Sequence, residues 1–144
     1  MIRIERCDEE AGFGEAVDRL LDQHAEAVGH AFDPRPLNLR ALGEDGTFLG
    51  GLSGYGQLGW LFIKLLALSP AARGQGAGKR LIEAAEEFAR DNNLGGVYLD
   101  TYEFQAPEFY RKLGYREFGR LPALGNRPSR IWFCKVLEKD TTFD

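Results

Sequence analysis

A glycine-rich segment between an apolar run and an amphipathic run is the part of this sequence best suited to chemistry. It extends from Arg73 through Gly74, Gly76 and Gly78 to Lys79. A strand that enters a glycine turn and opens a helix directs several unpaired backbone amides, and the positive helix end, at one point in space. Because glycine carries no side chain, the backbone can approach an anion closely. The segment therefore predicts a site for a phosphate or pyrophosphate group.

Three phosphate-binding patterns can be compared with this segment. A P-loop requires Gly, four residues and then Gly-Lys-Ser/Thr, but Arg73 stands at the first glycine and Arg80 at the hydroxyl position. This disfavours magnesium-nucleotide chemistry. A dinucleotide fingerprint requires Gly-x-Gly-x-x-Gly, and its third glycine is replaced by Lys79. The third pattern, Arg-x-x-Gly-x-Gly, fits at Arg73, Gly76 and Gly78.

A second informative segment lies about 30 residues further along the chain: Phe104-Gln-Ala-Pro-Glu-Phe-Tyr-Arg-Lys-Leu-Gly-Tyr115. It is similar to the Ala-x-x-x-Tyr-x-x-x-Gly-Phe/Tyr segment of the GNAT superfamily of N-acetyltransferases, and Arg-x-x-Gly-x-Gly between a strand and a helix is that family's signature. The order of elements resembles the family over almost the whole chain. The resemblance implies an acetyl-coenzyme A-dependent N-acetyltransferase that acts on a primary amine of a small molecule or peptide.

The resemblance also assigns roles to individual residues. The loop amides would bind the pyrophosphate, and free backbone groups of Leu66 and Leu68 would pair with the pantetheine arm. The Leu66 amide would stabilise the oxyanion of the tetrahedral intermediate, an effect of ~3 kcal/mol in comparable sites. The Tyr110 hydroxyl would protonate the leaving thiolate. The cofactor-binding residues implied are Leu66, Ala67, Leu68, Arg73, Gly74, Gln75, Gly76, Ala77, Gly78, Lys79 and Tyr110.

The candidate general base is less well defined, because two positions depart from the family pattern. Many members have Asn three residues before the motif alanine, where this chain has Glu103, and an ionised carboxylate cannot donate a hydrogen bond. Glu103 is expected either to turn away from the cofactor or to serve catalysis on the substrate side. The glutamate found on the central strand of some members is an apolar residue here, around Phe62. A water chain, Glu103, Tyr102 or an amine that arrives neutral remain open alternatives.

Three polar side chains lie close together near a predicted strand end, where clefts in open sheets form. They are Asp100, Tyr102 and Glu103. They are compatible with a patch for a cationic substrate, and equally with solvated carboxylates, which are the ordinary case on a protein surface. The sequence leaves both interpretations open.

The spacing of apolar residues predicts the elements that position these segments. Alternation predicts strands and i, i+3, i+4 spacing predicts helices. The order is a strand, a helix, an antiparallel meander, a right-handed strand–helix–strand crossover, a short helix and a final antiparallel pair. The predicted strands are 2–6, 37–42, 48–55, 60–68, 97–102, 115–121 and 129–137, and the helices run from an Asp8 N-cap to Gly29, over 77–90 and over 107–113.

This order predicts a single α/β domain over residues 1–144, with a mixed central sheet of about six to seven strands and helices on both faces. Strands 60–68 and 97–102 should be parallel neighbours. The resemblance implies that these two strands splay apart where the cofactor binds. Residues 33–36, Asp-Pro-Arg-Pro, are expected to be irregular because proline restricts both itself and its predecessor.

Composition restricts the classes of function. The chain has 144 residues, 18 Lys+Arg and 22 Asp+Glu, hence a net charge of −4. An acidic chain lacks the broad basic footprint of a nucleic-acid-binding protein. Two cysteines, Cys7 and Cys134, are too few for a disulfide framework or a structural zinc site, so no metal is expected. The charged N-terminus does not fit a signal peptide and the longest apolar run is too short to span a bilayer. A cytoplasmic protein is expected.

Two further hypotheses accompany the acetyltransferase. A non-catalytic acyl-coenzyme A-binding module or sensor would retain the phosphate loop without needing Tyr110. A nucleotide-phosphate enzyme of another fold is disfavoured by the failed P-loop and dinucleotide patterns. Many members of the resembled family form homodimers, which the resemblance therefore allows.

Overall fold

The computed structural model describes residues 1–8 and 11–138. The chain comprises two compact units, Met1–Asp33 and Pro34–Asp144. The second unit carries the sheet and every residue assigned above to the candidate site.

The first unit contains one helix, α1, over Phe13–Ala27. Gly12 precedes it with a φ of 95°, and no side chain caps its first turn. The predicted Asp8 N-cap is therefore wrong. Residues 2–6 form no strand, which corrects a second prediction. Two alternating isoleucines do not specify a strand, because a strand is stabilised by cross-strand pairing with a neighbour.

The second unit is a six-stranded mixed sheet in the order β1-β2-β3-β4-β6-β5. Only β3 and β4 are parallel among the described strands, and the other neighbours are antiparallel. A 3₁₀ turn at Pro70–Ala72 follows β3. The strands are β1 Arg35–Leu42, β2 Phe48–Gln57, β3 Trp60–Leu68, β4 Gly96–Tyr102, β5 Arg116–Leu121 and β6 Arg130–Val136, and the helices are α2 Ala77–Asp91 and α3 Pro107–Lys112.

The predicted α/β architecture is confirmed, with sheet strands close to their predicted bounds. The predicted parallel pairing of β3 and β4 is also confirmed. One boundary is wrong: β1 begins at Arg35 and includes Pro36, although residues 33–36 were expected to be irregular. β1 is the edge of the sheet, and proline is tolerated there because one side of an edge strand needs no ladder hydrogen bond.

The core lies between α2 and one face of the sheet. The buried side of α2 is apolar, as its spacing predicts, and it meets alternate residues of β3, β4 and β6. Helix and sheet are held together by burial of this apolar surface. The innermost side chains are Leu61, Ile63, Ile82, Ala85, Ala89, Val97, Leu99, Ile131 and Phe133.

One charged residue of α2 is buried among its apolar residues. Glu86 lies four residues after Ile82 and three before Ala89, on the side of the helix that faces the sheet, and its side chain is buried. Its carboxylate accepts hydrogen bonds from the Tyr115 hydroxyl at 2.8 Å and from Lys135 Nζ at 3.1 Å. Lys135 also donates to the carbonyl of Leu113 at 3.0 Å. The ion pair is possible because β6 brings a cation beneath the helix, which no local pattern in α2 could indicate.

Candidate active site

The two parallel strands of the sheet part in the middle. They pair from Trp60 with Gly96 to Ile63 with Leu99. Beyond this point β3 and β4 continue without pairing to each other, although β3 remains paired with β2 and β4 with β6. The splay that the family resemblance implied is therefore present. Each parted strand has one open edge at which backbone groups can bind a guest chain.

A β-bulge in β3 lies at the point where the strands part. Ser53 of β2 pairs with Leu65, whereas the next residue, Gly54, pairs with Ile63, so Lys64 is the extra residue. A bulge bends its strand and increases the local twist. The second half of β3 consequently leaves the direction of β4 while it stays in register with β2.

The direction of the backbone groups shows which residues of β3 face the opening. The Ser69 amide donates to the Leu49 carbonyl of β2 at 2.8 Å. Because backbone groups of successive strand residues point to opposite edges, Ala67 also faces β2, and Leu66 and Leu68 face the opening. These are the two positions from which the family resemblance draws free backbone groups. The backbone groups of Ala67 face β2, so Ala67 could contact a ligand in the opening only through its side chain.

The open edge of β4 is partly closed by a side chain. Gln105 Oε1 accepts hydrogen bonds from the Tyr102 amide at 2.8 Å and from Thr101 Oγ1 at 3.0 Å. If β3 and β4 had stayed paired, the Tyr102 amide would have donated a hydrogen bond to β3. It donates to Gln105 instead. Sequence reasoning did not single out Gln105, although its place directly before the Ala-Pro of the second motif was a usable signal.

The glycine loop presents an accessible backbone at the start of α2. Gly74 and Gly76 have φ angles of 80° and 79°, and a Cβ added at either position would meet no atom within 4 Å. The first turn of α2 has no side-chain cap and no acidic residue. It carries Lys79 and Arg80 instead, although cations are unfavourable at the positive end of a helix. Open glycines, free amides and two cations together fit a pyrophosphate.

The remaining loop residues line this surface. Arg73 and Gln75 are exposed, and Ala77 is half-buried. The Gln75 amide group donates to the Ala71 carbonyl at 2.8 Å, which holds its side chain along the loop. Gly78 has a different role, because a Cβ there would lie 3.1 Å from Phe109 of α3. This close contact brings α3 against the start of α2.

Tyr110 of α3 is buried in the core, next to the residue that contacts Gly78. Its ring packs against Phe109, Tyr115 and Phe133 at centroid distances of 5.1, 6.2 and 5.9 Å. Burial, with a smaller contribution from the negative charge of Asp100, raises the pKa of Tyr110 to about 12. The hydroxyl is therefore protonated at neutral pH and is able to donate a proton.

Glu103 does not face the opening between the strands. Its Oε2 accepts a hydrogen bond from Ser129 Oγ at 3.0 Å and its Oε1 accepts one from the Ser129 amide at 3.3 Å. Both partners lie just before β6, on the opposite side of β4. The Glu103 carboxylate thus holds the residue that precedes β6. It turns away from the opening, which is one of the two alternatives that the sequence left open.

A groove of about 390 Å³ lies along the paired half of the sheet, on the face opposite α2. Its lining includes Tyr55, Trp60, Phe62 and Tyr98, together with Cys134. Burial raises the pKa of the Cys134 thiol, so this cysteine is not an activated nucleophile. The groove offers aromatic surface but none of the free amides found at the opening.

Residues 1–8 and 11–138 contain no group of three or more His, Cys, Asp or Glu side chains arranged to hold a metal ion. Over the same residues, no helix is both long and apolar enough to span a membrane.

The acetyltransferase (GNAT) family model matches residues 1–115. The chain belongs to the GNAT family of acetyltransferases. Blasticidin-S acetyltransferase of Streptomyces morookaense is 43% identical over 94 residues, which cover 62% of this chain and 69% of that protein. The crystal structure of an acetyltransferase from Bacillus cereus has a TM-score of 0.81 and 27% identity, and the match covers 93% of this chain and 98% of that one.

GNAT acetyltransferases use acetyl-coenzyme A as the acetyl donor. A Bacillus anthracis protein described as a streptothricin acetyltransferase was solved in complex with acetyl-coenzyme A. Its fold matches this chain with a TM-score of 0.65 at 22% identity, over 72% of this chain and 64% of that one. The parted strands and the open glycine loop described above are suited to such an elongated, diphosphate-containing ligand.

Proposed function

We propose that this acetyltransferase transfers the acetyl group of acetyl-coenzyme A directly to a primary amine of a small molecule. The observation that supports this most strongly is the parting of β3 from β4 beside the open, amide-lined start of α2. The start of α2 can bind a diphosphate, and the adjacent open edge of β3 can bind amide groups. Together they suit a ligand that has a diphosphate at one end and an amide-containing arm.

The chain's own groups divide the binding task. The amides at the start of α2, with Lys79 and Arg80, hold the diphosphate. The open-edge backbone groups of Leu66 and Leu68 hydrogen-bond the amide-containing arm, as a neighbouring strand would. When bound, acetyl-coenzyme A supplies an acyl group activated as a thioester.

The reacting end is served by two groups. The Leu66 amide donates a hydrogen bond to the acyl oxygen and stabilises the negative charge that develops there. The Tyr110 hydroxyl, which is protonated at neutral pH, donates a proton to the departing sulfur. Glu103 has no part in this scheme, because Ser129 occupies both of its oxygens. The amine therefore reacts in its neutral form, with its proton passed to solvent.

The names of related proteins favour a small-molecule acceptor over a peptide. Blasticidin-S acetyltransferase is among the relatives, and a streptothricin acetyltransferase is among the proteins that share the fold. We place the reaction in the cytoplasm, a reducing compartment consistent with two unpaired cysteines, Cys7 and Cys134. Homodimer formation stays a prediction of the family resemblance.

Substitution of Gly76 by Glu tests the cofactor assignment. A Cβ at this position would meet no atom within 4 Å, and we expect the carboxylate to lie where the diphosphate binds. We expect the dissociation constant of coenzyme A, measured by calorimetry, to rise at least about tenfold, equivalent to ~1.4 kcal/mol. Gly46→Glu is the matched control, because Gly46 has a φ of 85° and open surroundings in the β1–β2 turn.

The Gly46 variant should bind coenzyme A as the parent does. Equal affinity of the Gly76 and Gly46 variants would refute the loop as the diphosphate site. Binding of coenzyme A without acetyl transfer to any of a broad panel of amines would instead identify a non-catalytic acyl-coenzyme A-binding module.

A further inference from the structure

Asp100 stands at the point where the two parallel strands separate. The last β3–β4 pair is Ile63 with Leu99, so Asp100 is the first residue of β4 beyond it. In the antiparallel β4–β6 ladder, Asp100 lies opposite Trp132 and Tyr102 lies opposite Arg130. Directly opposite residues share a face of the sheet. These four side chains therefore form one group on the face of the sheet opposite α2.

The Asp100 carboxylate is oriented by an arginine yet keeps one oxygen available. Nε and Nη2 of Arg130 both lie 2.7 Å from Asp100 Oδ1. Arg130 is itself held over the rings of Trp132 and Tyr102, at 4.9 and 5.8 Å from their centroids. No hydrogen bond from the described residues reaches Oδ2. The side chain is 16% exposed, so the carboxylate is recessed but reachable.

Two stacked aromatic rings follow this carboxylate at the end of β4. The rings of Tyr102 and Phe104 are 5.8 Å apart and inclined by 20°. Both are exposed, Tyr102 by 39% and Phe104 by 70%. The face of an aromatic ring attracts a cation. A carboxylate oxygen and exposed ring faces at the same strand end are complementary to a positively charged nitrogen.

We propose that Asp100, with the rings of Tyr102 and Phe104, binds a cationic group of the acetyl acceptor other than the nitrogen that is acetylated. The inference rests on the proposed function, because it assumes that the acyl group is delivered to the opening beside Asp100. It assigns the acceptor to the class of diamines and other amines with a second positive charge. Asp100 is thus a specificity residue.

Chemistry separates the bound cation from the reacting nitrogen. A carboxylate that held the attacking nitrogen would favour its ammonium form, which has no lone pair for attack. A second cation, several bonds away, is instead bound without cost to the reaction. Arg130 offsets part of the charge of Asp100, so the preference is expected to be about tenfold rather than several hundredfold, or ~1.4 kcal/mol.

The test compares two acceptors of the same length, 1,5-diaminopentane and 1-aminopentane, which differ by one terminal ammonium group. Their binding to the protein saturated with coenzyme A is measured by calorimetry, and their acetylation by kcat/KM. The parent should prefer the diamine about tenfold in binding. In Asp100→Asn the preference should fall to near one, with unchanged affinity for the monoamine.

Two further variants test whether the preference depends on this carboxylate and on the aromatic rings beside it in the sequence. Glu117→Gln removes a carboxylate that is likewise hydrogen-bonded to an arginine, Arg120 at 2.7 Å, but on β5; it should retain the diamine preference. Phe104→Leu keeps the apolar bulk and removes an exposed ring face, and should reduce the preference without disturbing the Asp100–Arg130 pair.

The outcomes separate this inference from the proposed function. A parent that does not bind coenzyme A overturns the proposed function and the inference with it. A parent that binds coenzyme A but shows no diamine preference overturns the inference alone. So does a diamine preference that survives in Asp100→Asn.

Discussion

At the scale of single residues, Tyr110 combines a buried position with a proposed role as a proton donor. Its position in the second motif identified it, but a tyrosine at helical spacing is often only part of a core. The structure shows that Tyr110 belongs to the core, and its role as an acid stays a proposal. Three aromatic rings bury the side chain, and that burial is the main cause of its raised pKa.

Tyr110→Phe should lower turnover by a factor of about 10² and leave the affinity for coenzyme A unchanged, since the ring packing is retained. Steady-state kinetics with an amine that the parent acetylates measures kcat, and calorimetry measures the affinity for coenzyme A. Turnover equal to that of the parent would remove Tyr110 from the mechanism.

The same variant has an effect on stability at high pH. The pKa of Tyr110 is about 12 in the folded chain, against about 10 in an unfolded one. The neutral hydroxyl therefore contributes stability that is complete below pH 10 and is lost as the pH rises towards 12. Over this interval, urea titrations should show a smaller loss in the free energy of unfolding for Tyr110→Phe than for the parent.

The buried carboxylate of Glu86 is a second residue-scale feature. Lys135→Met would leave this carboxylate without its cation, which should lower the free energy of unfolding by about 3 kcal/mol. Lys79→Met is the control, because its pair with Glu83 is 3.9 Å long and exposed; a change within about 0.5 kcal/mol is expected there. Equal losses in urea denaturation would mean that Lys135 is not a structural counter-ion.

At the scale of elements, the opening between β3 and β4 has a cause on each side. The bulge at Lys64 bends β3, and Gln105 satisfies the amide that β4 would otherwise present. A strand edge that carries unpaired groups attracts any available partner. Because Gln105 closes the edge of β4, the edge of β3 at Leu66 and Leu68 is the one left open to a ligand.

Gln105→Met removes the acceptor of the Tyr102 amide and should expose that amide to solvent. We expect faster hydrogen exchange at Tyr102, measured by NMR, and a KM for acetyl-coenzyme A raised severalfold. Gln105→Glu retains an acceptor oxygen at this position and should keep the amide protected. If the Met and Glu variants exchange at the same rate, Gln105 does not cap the strand.

At the scale of the whole molecule, cofactor binding should stabilise the folded chain. A ligand at 100 times its dissociation constant adds about 2.7 kcal/mol, which for a chain of this length raises Tm by roughly 5–10 °C. Scanning calorimetry with coenzyme A should show this shift for the parent and for Gly46→Glu. The shift should be lost in Gly76→Glu, and a shift that persists there would place the ligand elsewhere.

The elements of the sheet unit and the family could be predicted from local features of the sequence. Glycine spacing, an apolar run without alternation and the two motifs are local properties, so the bounds of β3 and α2, the parallel pairing and the family could all be inferred before any coordinates. The predicted strand at 2–6 failed because strand formation depends on a distant partner, which alternation alone cannot supply.

Which side chains meet depends on how the chain folds in three dimensions. The burial of Glu86 depends on Lys135, 49 residues later, and the availability of Asp100 depends on where β3 turns away at its bulge. Glu103 was a candidate base from its position, yet Ser129 engages its carboxylate across the sheet. Such contacts join residues far apart in the chain, and their energies depend on distances and burial that a linear pattern does not contain.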